Sequence, residues 1–309
     1  MSSPAPLDTP SASEPSPPEP PPPRDGWSQE PNGQLAALRA ELDGIDDALH
    51  DLLMQRAAVV ERVAKSGKPS AYRPGREAAI IRRLLARHAG ELPPQTLVRI
   101  WRELLAGTTA MQGDFNVAVC QADDAAGFVQ AAREHFGALT PVHVHHSPAQ
   151  AIAEVSAGTA SVAVLPMPSE TEPPRAAWWT ALLHRDSPRI HVVARLPFWA
   201  RRPDGAPGVQ ALVIAAAAPD RSGRDCSLLG LELDLDVSRA RLTGAVTTAG
   251  LVRGTVILRR DAGAQVAHAL VEVEGFLTED DSRLVGIATS LRPPVVLGAY
   301  AVPEVGGAG

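Results

Sequence analysis

Residues 39–112 hold an unusual set of polar side chains: Arg39, Arg56, Lys65, Lys68, the adjacent pair Arg76 and Glu77, then Thr108 and Gln112. Lys65 and Lys68 are the two lysines of the chain, and every other permanently cationic side chain is arginine. The stretch contains neither a Ser/His/Asp set nor a group of metal-ligating side chains at ligand spacing. Cations gathered with hydrogen-bond donors and one carboxylate suit a reaction that depends on charge and shape and uses no nucleophile. No cofactor is implied.

Helical patterning positions these groups. Leu38, Leu42, Ile45, Leu49 and Leu52, then Arg56, then Val59 and Val63 follow alternating steps of four and three, a heptad seam on one helix face. Arg56 takes a slot that should be apolar. A guanidinium there needs a carboxylate partner or an anionic ligand, unless its stem packs while its head reaches water. The pattern runs from Gln34 to Ser66, roughly 50 Å of helix at about 1.5 Å per residue. Two shorter helices follow, Arg76 to His88 and Pro94 to Met111. They cannot cover the first, so much of it should pack against a second copy, giving an intertwined homodimer. On the third helix Thr108 extends the Leu97, Trp101, Leu104 stripe, and Gln112 lies one turn further on.

Composition narrows the setting. The chain has 309 residues and a formal charge of -6, which argues against a general nucleic-acid or anionic-membrane binder. Cys120 and Cys226 lie far apart without metal-ligand spacing, so a reduced, cytoplasmic setting is expected. Neither a signal peptide nor an apolar run of membrane-spanning length is visible. Residues 1–33 are rich in Pro, Ser and Glu and should be a disordered tail. Residues 34–113 form the helical domain. From 114 to 224, short β-like runs such as F-N-V-A-V and S-V-A-V-L alternate with alanine-rich helical stretches, an α/β region. Residues 225–309 carry further strand-like runs. His143, His145 and His146 raise the question of metal, but strand alternation spreads them over both faces without a carboxylate companion. Trp178 and Trp179 read as packing.

The helical stretch resembles the all-helical chorismate mutase family. The likeness is carried by L-A-A-L-R-A-E-L-D-G-I-D-D-A-L-H-D-L-L-M-Q-R, by R-P-G-R-E-A-A-I-I-R-R-L-L and by W-R-E-L-L-A-G-T-T-A-M-Q, over Leu35 to Gln112. The resemblance implies roles for individual residues. Arg39 would reach across the dimer to one carboxylate of chorismate, and Arg56 would bind the other. Glu77 would hold the ring hydroxyl, with Arg76 beside it, Thr108 lining the site and Gln112 meeting the ether oxygen of the breaking C–O bond. The family's lysine would fall on Gly67, so Lys65 or Lys68 must take its place, and Lys68 is preferred. The reaction implied is the Claisen rearrangement of chorismate to prephenate, in which a compact ammonium suits the negative charge growing on that oxygen.

The rest of the chain is similar in layout to the P-proteins, bifunctional chorismate mutase/prephenate dehydratases with a regulatory ACT domain. H-S-P-A-Q-A-I-A-E-V-S-A-G-T-A-S-V-A-V-L-P-M-P looks like the dehydratase segment ending in V-P-I-E-N-S, but Pro168 and Ser169 replace its Glu and Asn. Val209, Gln210 and Ala211 stand where the catalytic T-R-F is expected, and a valine cannot donate a proton to a departing hydroxyl. The expectation is therefore a multidomain chain: an all-α mutase-type helical dimer, a degenerate α/β dehydratase-like region without activity, and an α+β ACT-like domain of βαββαβ outline. Its second helix should lie near Asp280 to Ser290. The family's E-S-R-P element is missing, which argues against feedback by phenylalanine and for a structural or dimerising role of the ACT-like region, an aromatic amino acid effector there being the alternative. A bifunctional enzyme, or a non-catalytic partner of another aromatic-pathway enzyme, would be the other outcomes.

Overall fold

The computed structural model describes residues 30–66, 71–121, 127–200, 206, 208–287 and 289–305, with side chains from residue 33 onward. Most of the proline-rich stretch and Lys68 lie outside the described residues. The chain comprises two units, Met1–Arg56 and Ala57–Gly309.

Helix α1 spans Glu30–Ala64. It starts four residues before the position expected from the apolar pattern, because a proline is tolerated in the first turn, where its missing N–H has no intrahelical acceptor to lose. Within the first unit its seam is open: Leu38, Leu42, Ile45, Leu49 and Leu52 are 49% to 60% exposed. A helix whose apolar stripe meets no partner is not stable by propensity alone.

In the second unit, α2 (Pro74–Arg87) and α3 (Pro94–Ala110) each begin on a proline, whose fixed φ favours the first helical turn. A carboxylate distant in sequence closes the α2 N-terminus. Asp220 accepts from the Gly75 N–H at 2.9 Å, the Arg76 N–H at 3.1 Å and Arg73 Nε at 3.1 Å, placing negative charge where the helix dipole is positive. Gly75 is required by this approach, since a Cβ there would lie 2.2 Å from the Asp220 carbonyl oxygen.

The strands are β1 (Val117–Cys120), β2 (Val142–His145), β3 (Val162–Pro166), β4 (His191–Leu196), β5 (Ala211–Ala215), β6 (Asp225–Leu233), β7 (Arg253–Arg259), β8 (Ala267–Glu274) and β9 (Val295–Ala301). They order as β2-β1-β3-β5-β4-β9-β6-β8-β7. β1 runs parallel to β2 and β3, with α4 (Gly127–Phe136) and α5 (Pro148–Ala157) as the crossovers. β1 is buried along its whole length, as unbroken apolar strands of a parallel layer should be. The last four strands pair antiparallel in the order β9-β6-β8-β7, with α6 (Arg239–Thr248) between β6 and β7. This is a split β-α-β arrangement.

The two halves of the sheet meet where β4 pairs with β9 at Val192 and Gly298, and the junction continues beyond both strands in a parallel bridge between Trp199 and Glu304. Gly298 has φ of 144°, and a Cβ there would stand 2.0 Å from the Val192 carbonyl oxygen, so only glycine allows β9 to approach β4. The helix expected near Asp280 to Ser290 is instead a 3₁₀ turn at Ser282–Gly286. Asp281 caps its start by accepting from the Arg283 N–H at 3.0 Å. At its other end Gly286 packs so near Ala249 that a Cβ would sit 3.3 Å from that methyl. Among the described residues, no helix is long and apolar enough to cross a membrane. Cys120 and Cys226 are buried free thiols, both pushed up to about 11 chiefly by burial.

Candidate active site

Glu77 sits in the first turn of α2, and its carboxylate turns inward. Arg102, on α3, donates through Nη1 to Glu77 Oε2 at 3.0 Å. Both side chains are buried, at 8% and 4% exposure. The Arg102 guanidinium also lies over the Phe198 ring, 5.1 Å from its centre, a cation–π contact strengthened by the exclusion of water. Burial lowers the Arg102 pKa, opposed by the charge of Glu77.

Behind this pair the Tyr72 hydroxyl and His135 Nε2 are 3.1 Å apart. Burial raises the Tyr72 pKa well above its ordinary value, and holds the His135 imidazole well below its own, with the Arg102 charge adding to the second effect. His135 is therefore neutral at pH 7 and able to share a proton with the phenol.

At the far end of α3, the Thr108 hydroxyl donates to the Leu104 and Leu105 carbonyls at 2.9 and 3.0 Å, and Gln112 Nε2 donates to the Thr108 carbonyl at 2.9 Å. The polar continuation of the α3 stripe is thus a hydrogen-bonded C-terminal fringe, with the Gln112 amide one rotamer change from release.

Arg39 is an exposed residue of α1, and Arg56, in the same helix, is half-buried. Lys65 is exposed and its Nζ pairs with Glu61, one turn back, at 2.6 Å. Arg76 is exposed and contributes its backbone N–H to Asp220. The structure therefore joins Thr108 to Gln112, while the partner it shows for Glu77 is one the sequence analysis did not single out.

That partner was legible. Val98, Arg102, Leu105 and Thr109 follow helical spacing and are all buried, so Arg102 is a charge within an apolar face, the criterion that singles out Arg56. Asp220 carried no such signal, because its role depends on a fold that brings a loop to the start of α2.

The histidine reading needs correction. Glu154 on α5 is the carboxylate companion that the strand pattern could not reveal: His143 Nδ1 lies 3.0 Å from its Oε2 and His145 Nε2 lies 3.3 Å from its Oε1. His143 and His145 share a strand face, and hydrogen bonding to His143 lowers the Glu154 pKa. Even so, no group able to hold a metal occurs among the described residues.

The two segments aligned with dehydratase motifs are adjacent in space. Pro166 pairs with Ala211, and the Met167 N–H donates to the Gln210 carbonyl at 3.2 Å. Pro168 is buried, and the Gln210 side chain accepts from Arg195 Nη2 at 2.9 Å. Glu170, beside Ser169, is tied to Arg239 of α6 at 2.5 Å.

Residues 38–113 match the chorismate mutase type II family. The chain is 29% identical over 148 residues to a bifunctional chorismate mutase/prephenate dehydratase of Pseudomonas aeruginosa, an alignment covering 45% of this chain and 40% of that protein. It is 30% identical over 148 residues, with the same coverage, to the protein of that description from Stutzerimonas stutzeri. These alignments span about two fifths of the length of either relative. Among solved structures it is similar to a prephenate dehydratase from Streptococcus mutans, at 16% identity and a TM-score of 0.46, covering 62% of this chain and 100% of that one.

Proposed function

Residues 38–113 being a chorismate mutase type II domain, we propose that the chain catalyses the rearrangement of chorismate to prephenate as a homodimer. The observation that carries this reading is the position of the polar set. Arg39, Arg56, Arg76–Glu77, Thr108 and Gln112 all fall inside the matched stretch and occur on α1, α2 and α3 or their ends.

In this reading Arg39 of one copy and Arg56 of the other hold the two carboxylates, fixing the chair-like conformer that the pericyclic step requires. A lysine near the end of α1, Lys68 or Lys65, and the Gln112 amide stabilise charge on the ether oxygen. Glu77 receives the ring hydroxyl, and Arg76 and Thr108 border the substrate. No group is transferred to the protein, which agrees with a site of cations and hydrogen-bond donors. The homodimer is supported by the open seam of α1, whose five central residues are too apolar to remain in water without a partner.

The region after Asp114 belongs to this reading as a dehydratase-like body without dehydratase activity. Pro168, Ser169, Val209, Gln210 and Ala211 supply no acid at the positions that should protonate a leaving hydroxyl, and Arg195 and Arg239 engage the neighbouring Gln210 and Glu170. The split β-α-β order of the last four strands supports an ACT-like unit, where an aromatic amino acid effector would act. A bifunctional enzyme is the second reading, favoured by the names of the two relatives.

The test is one preparation of the full chain assayed for both steps. Chorismate should disappear with formation of prephenate, Arg56→Ala should remove that activity, and added prephenate should persist. An inactive wild-type protein would overturn the mutase reading, and consumption of prephenate would establish the bifunctional one.

A further inference from the structure

The start of α2 has no cap of its own. Arg73, the residue before the helix, has no acceptor on its side chain and makes no capping bond, and Pro74 opens the helix without an N–H. The Gly75 and Arg76 N–H groups belong to the first turn, where donors have no intrahelical acceptor and need one from elsewhere. Asp220 is that acceptor, at 2.9 and 3.1 Å, and it comes from the loop between β5 and β6, 144 residues beyond Arg76. We infer that Asp220 is a positioning residue for Glu77 in the mutase site. This rests on the reading above, in which Glu77 receives the ring hydroxyl, and adds that a residue outside the matched stretch 38–113 sets its pose.

The turn that Asp220 holds is the one that presents Glu77. Gly75 and Arg76, whose N–H groups it engages, come directly before Glu77 in the chain, and Arg73 donates to the same carboxylate through Nε at 3.1 Å. An uncapped helix end frays, and a side chain within its first turn moves with it. Misplacing a substrate-contacting group by about 1 Å can cost about 10²-fold in rate. A cap supplied from the sheet therefore bears on turnover as well as on stability.

Asp220 is itself held. Its side chain is 16% exposed, so water competes little for its bonds. Two residues further on, the Ser222 hydroxyl accepts from Arg82 Nη1 at 2.9 Å, and the Ser222 N–H donates to Asp225 Oδ1 at 3.1 Å. Arg82 lies on α2 and also donates through Nη2 to the Val302 carbonyl at 2.6 Å. The loop thus meets α2 at its start and again further along the helix, which keeps the carboxylate over the first turn before any substrate arrives.

The experiment compares full-length wild type, Asp220→Ala, Glu77→Gln and the double variant, each checked by circular dichroism. Chorismate turnover is measured for wild type and Asp220→Ala. Calorimetry gives the affinity of all four for a bicyclic dicarboxylate shaped like the transition state and keeping the ring hydroxyl. Asp220→Ala should lower kcat/KM about tenfold and weaken the mimic by a similar factor. In the Glu77→Gln background the same substitution should weaken the mimic by less than about twofold, because the contact it supports is already lost. Equal losses in both backgrounds would make Asp220 a support of the fold alone and overturn the inference. Wild-type turnover in Asp220→Ala would also overturn it, and in both cases the mutase reading stands. A wild-type protein without turnover would overturn that reading and this inference with it. Asp220→Asn keeps the shape but exchanges one acceptor for a donor; it should lose activity with the same dependence on Glu77, and it decides the matter where Asp220→Ala does not fold.

Discussion

Arg102 Nη1 and Glu77 Oε2 lie 3.0 Å apart in a water-excluded contact between α2 and α3. The bond ties the first turn of one helix to the middle of the next. Burying two charges costs more than exposing them unless each has its partner, so loss of one member leaves the other stranded. Arg102→Met should destabilise the protein by about 3 kcal/mol or more, and Glu77→Leu combined with Arg102→Met should recover much of that loss. Urea denaturation of both variants and of wild type checks this; equal stability of single and double variants would show that the pair is not coupled.

His135 makes stability depend on pH. Its folded-state pKa is held well below the ordinary 6.5, first by burial and then by Arg102. The unfolded chain therefore binds the proton more readily, and folding stability rises with pH across this interval. Stability should be full above the unfolded value of 6.5 and decline as pH falls from there toward the folded value. His135→Gln, which retains an acceptor for the Tyr72 hydroxyl, should flatten that slope. Thermal melts between about pH 7 and pH 5, the range where imidazole titrates, make the measurement.

How much of this was written in the sequence differs by residue. The three helices follow from apolar spacing, which is local, and α2 and α3 end within a residue of their expected limits, although α1 and α2 begin earlier than that spacing indicates. The strands β6 to β9 follow from apolar runs, which are local as well, whereas their pairing order depends on contacts between distant segments. The second helix of that unit is instead a 3₁₀ turn over Ser282–Gly286, a difference in hydrogen-bond pattern that apolar spacing does not report. Asp220 at the start of α2, and Glu154 beside His143 and His145, depend on contacts between distant segments. Arg102 lay between these cases, since its place on an apolar face is visible but its partner is not.

Gly298 should be irreplaceable. With φ of 144° and its missing Cβ position 2.0 Å from the Val192 carbonyl, Gly298→Ala combines backbone strain with a clash at the pairing of β4 with β9. We expect a loss of more than about 3 kcal/mol, with hydrogen exchange quickened most in β4 and β9. A variant within about 0.5 kcal/mol of wild type, the usual size of a surface substitution, would show that β9 can shift freely.

The seam of α1 predicts an association state. Leu42 is 60% exposed and Ile45 49% exposed, so Leu42→Glu with Ile45→Glu should leave the isolated chain soluble while placing like charges inside a paired seam. Sedimentation velocity should show a dimer for wild type and a monomer for the double variant, and chorismate turnover should fall with the dimer. A monomeric wild-type protein that is nonetheless active would remove the second copy from the site.

Gln112 tests the catalytic assignment with little disturbance to the fold. Its side-chain amide donates to the Thr108 carbonyl at 2.9 Å on a half-buried surface, and the helix loses only a terminal capping bond when it is removed. If that amide leaves Thr108 to meet charge developing on the ether oxygen, it acts in the transition state far more than in the ground state. Gln112→Ala should then lower kcat by about 10²-fold with KM nearly unchanged, and shift stability by less than about 1 kcal/mol. Gln112→Glu should regain activity as pH falls, because the protonated carboxyl again donates a hydrogen bond. A parallel rise in KM without loss of kcat would instead make Gln112 a group that binds substrate and transition state alike.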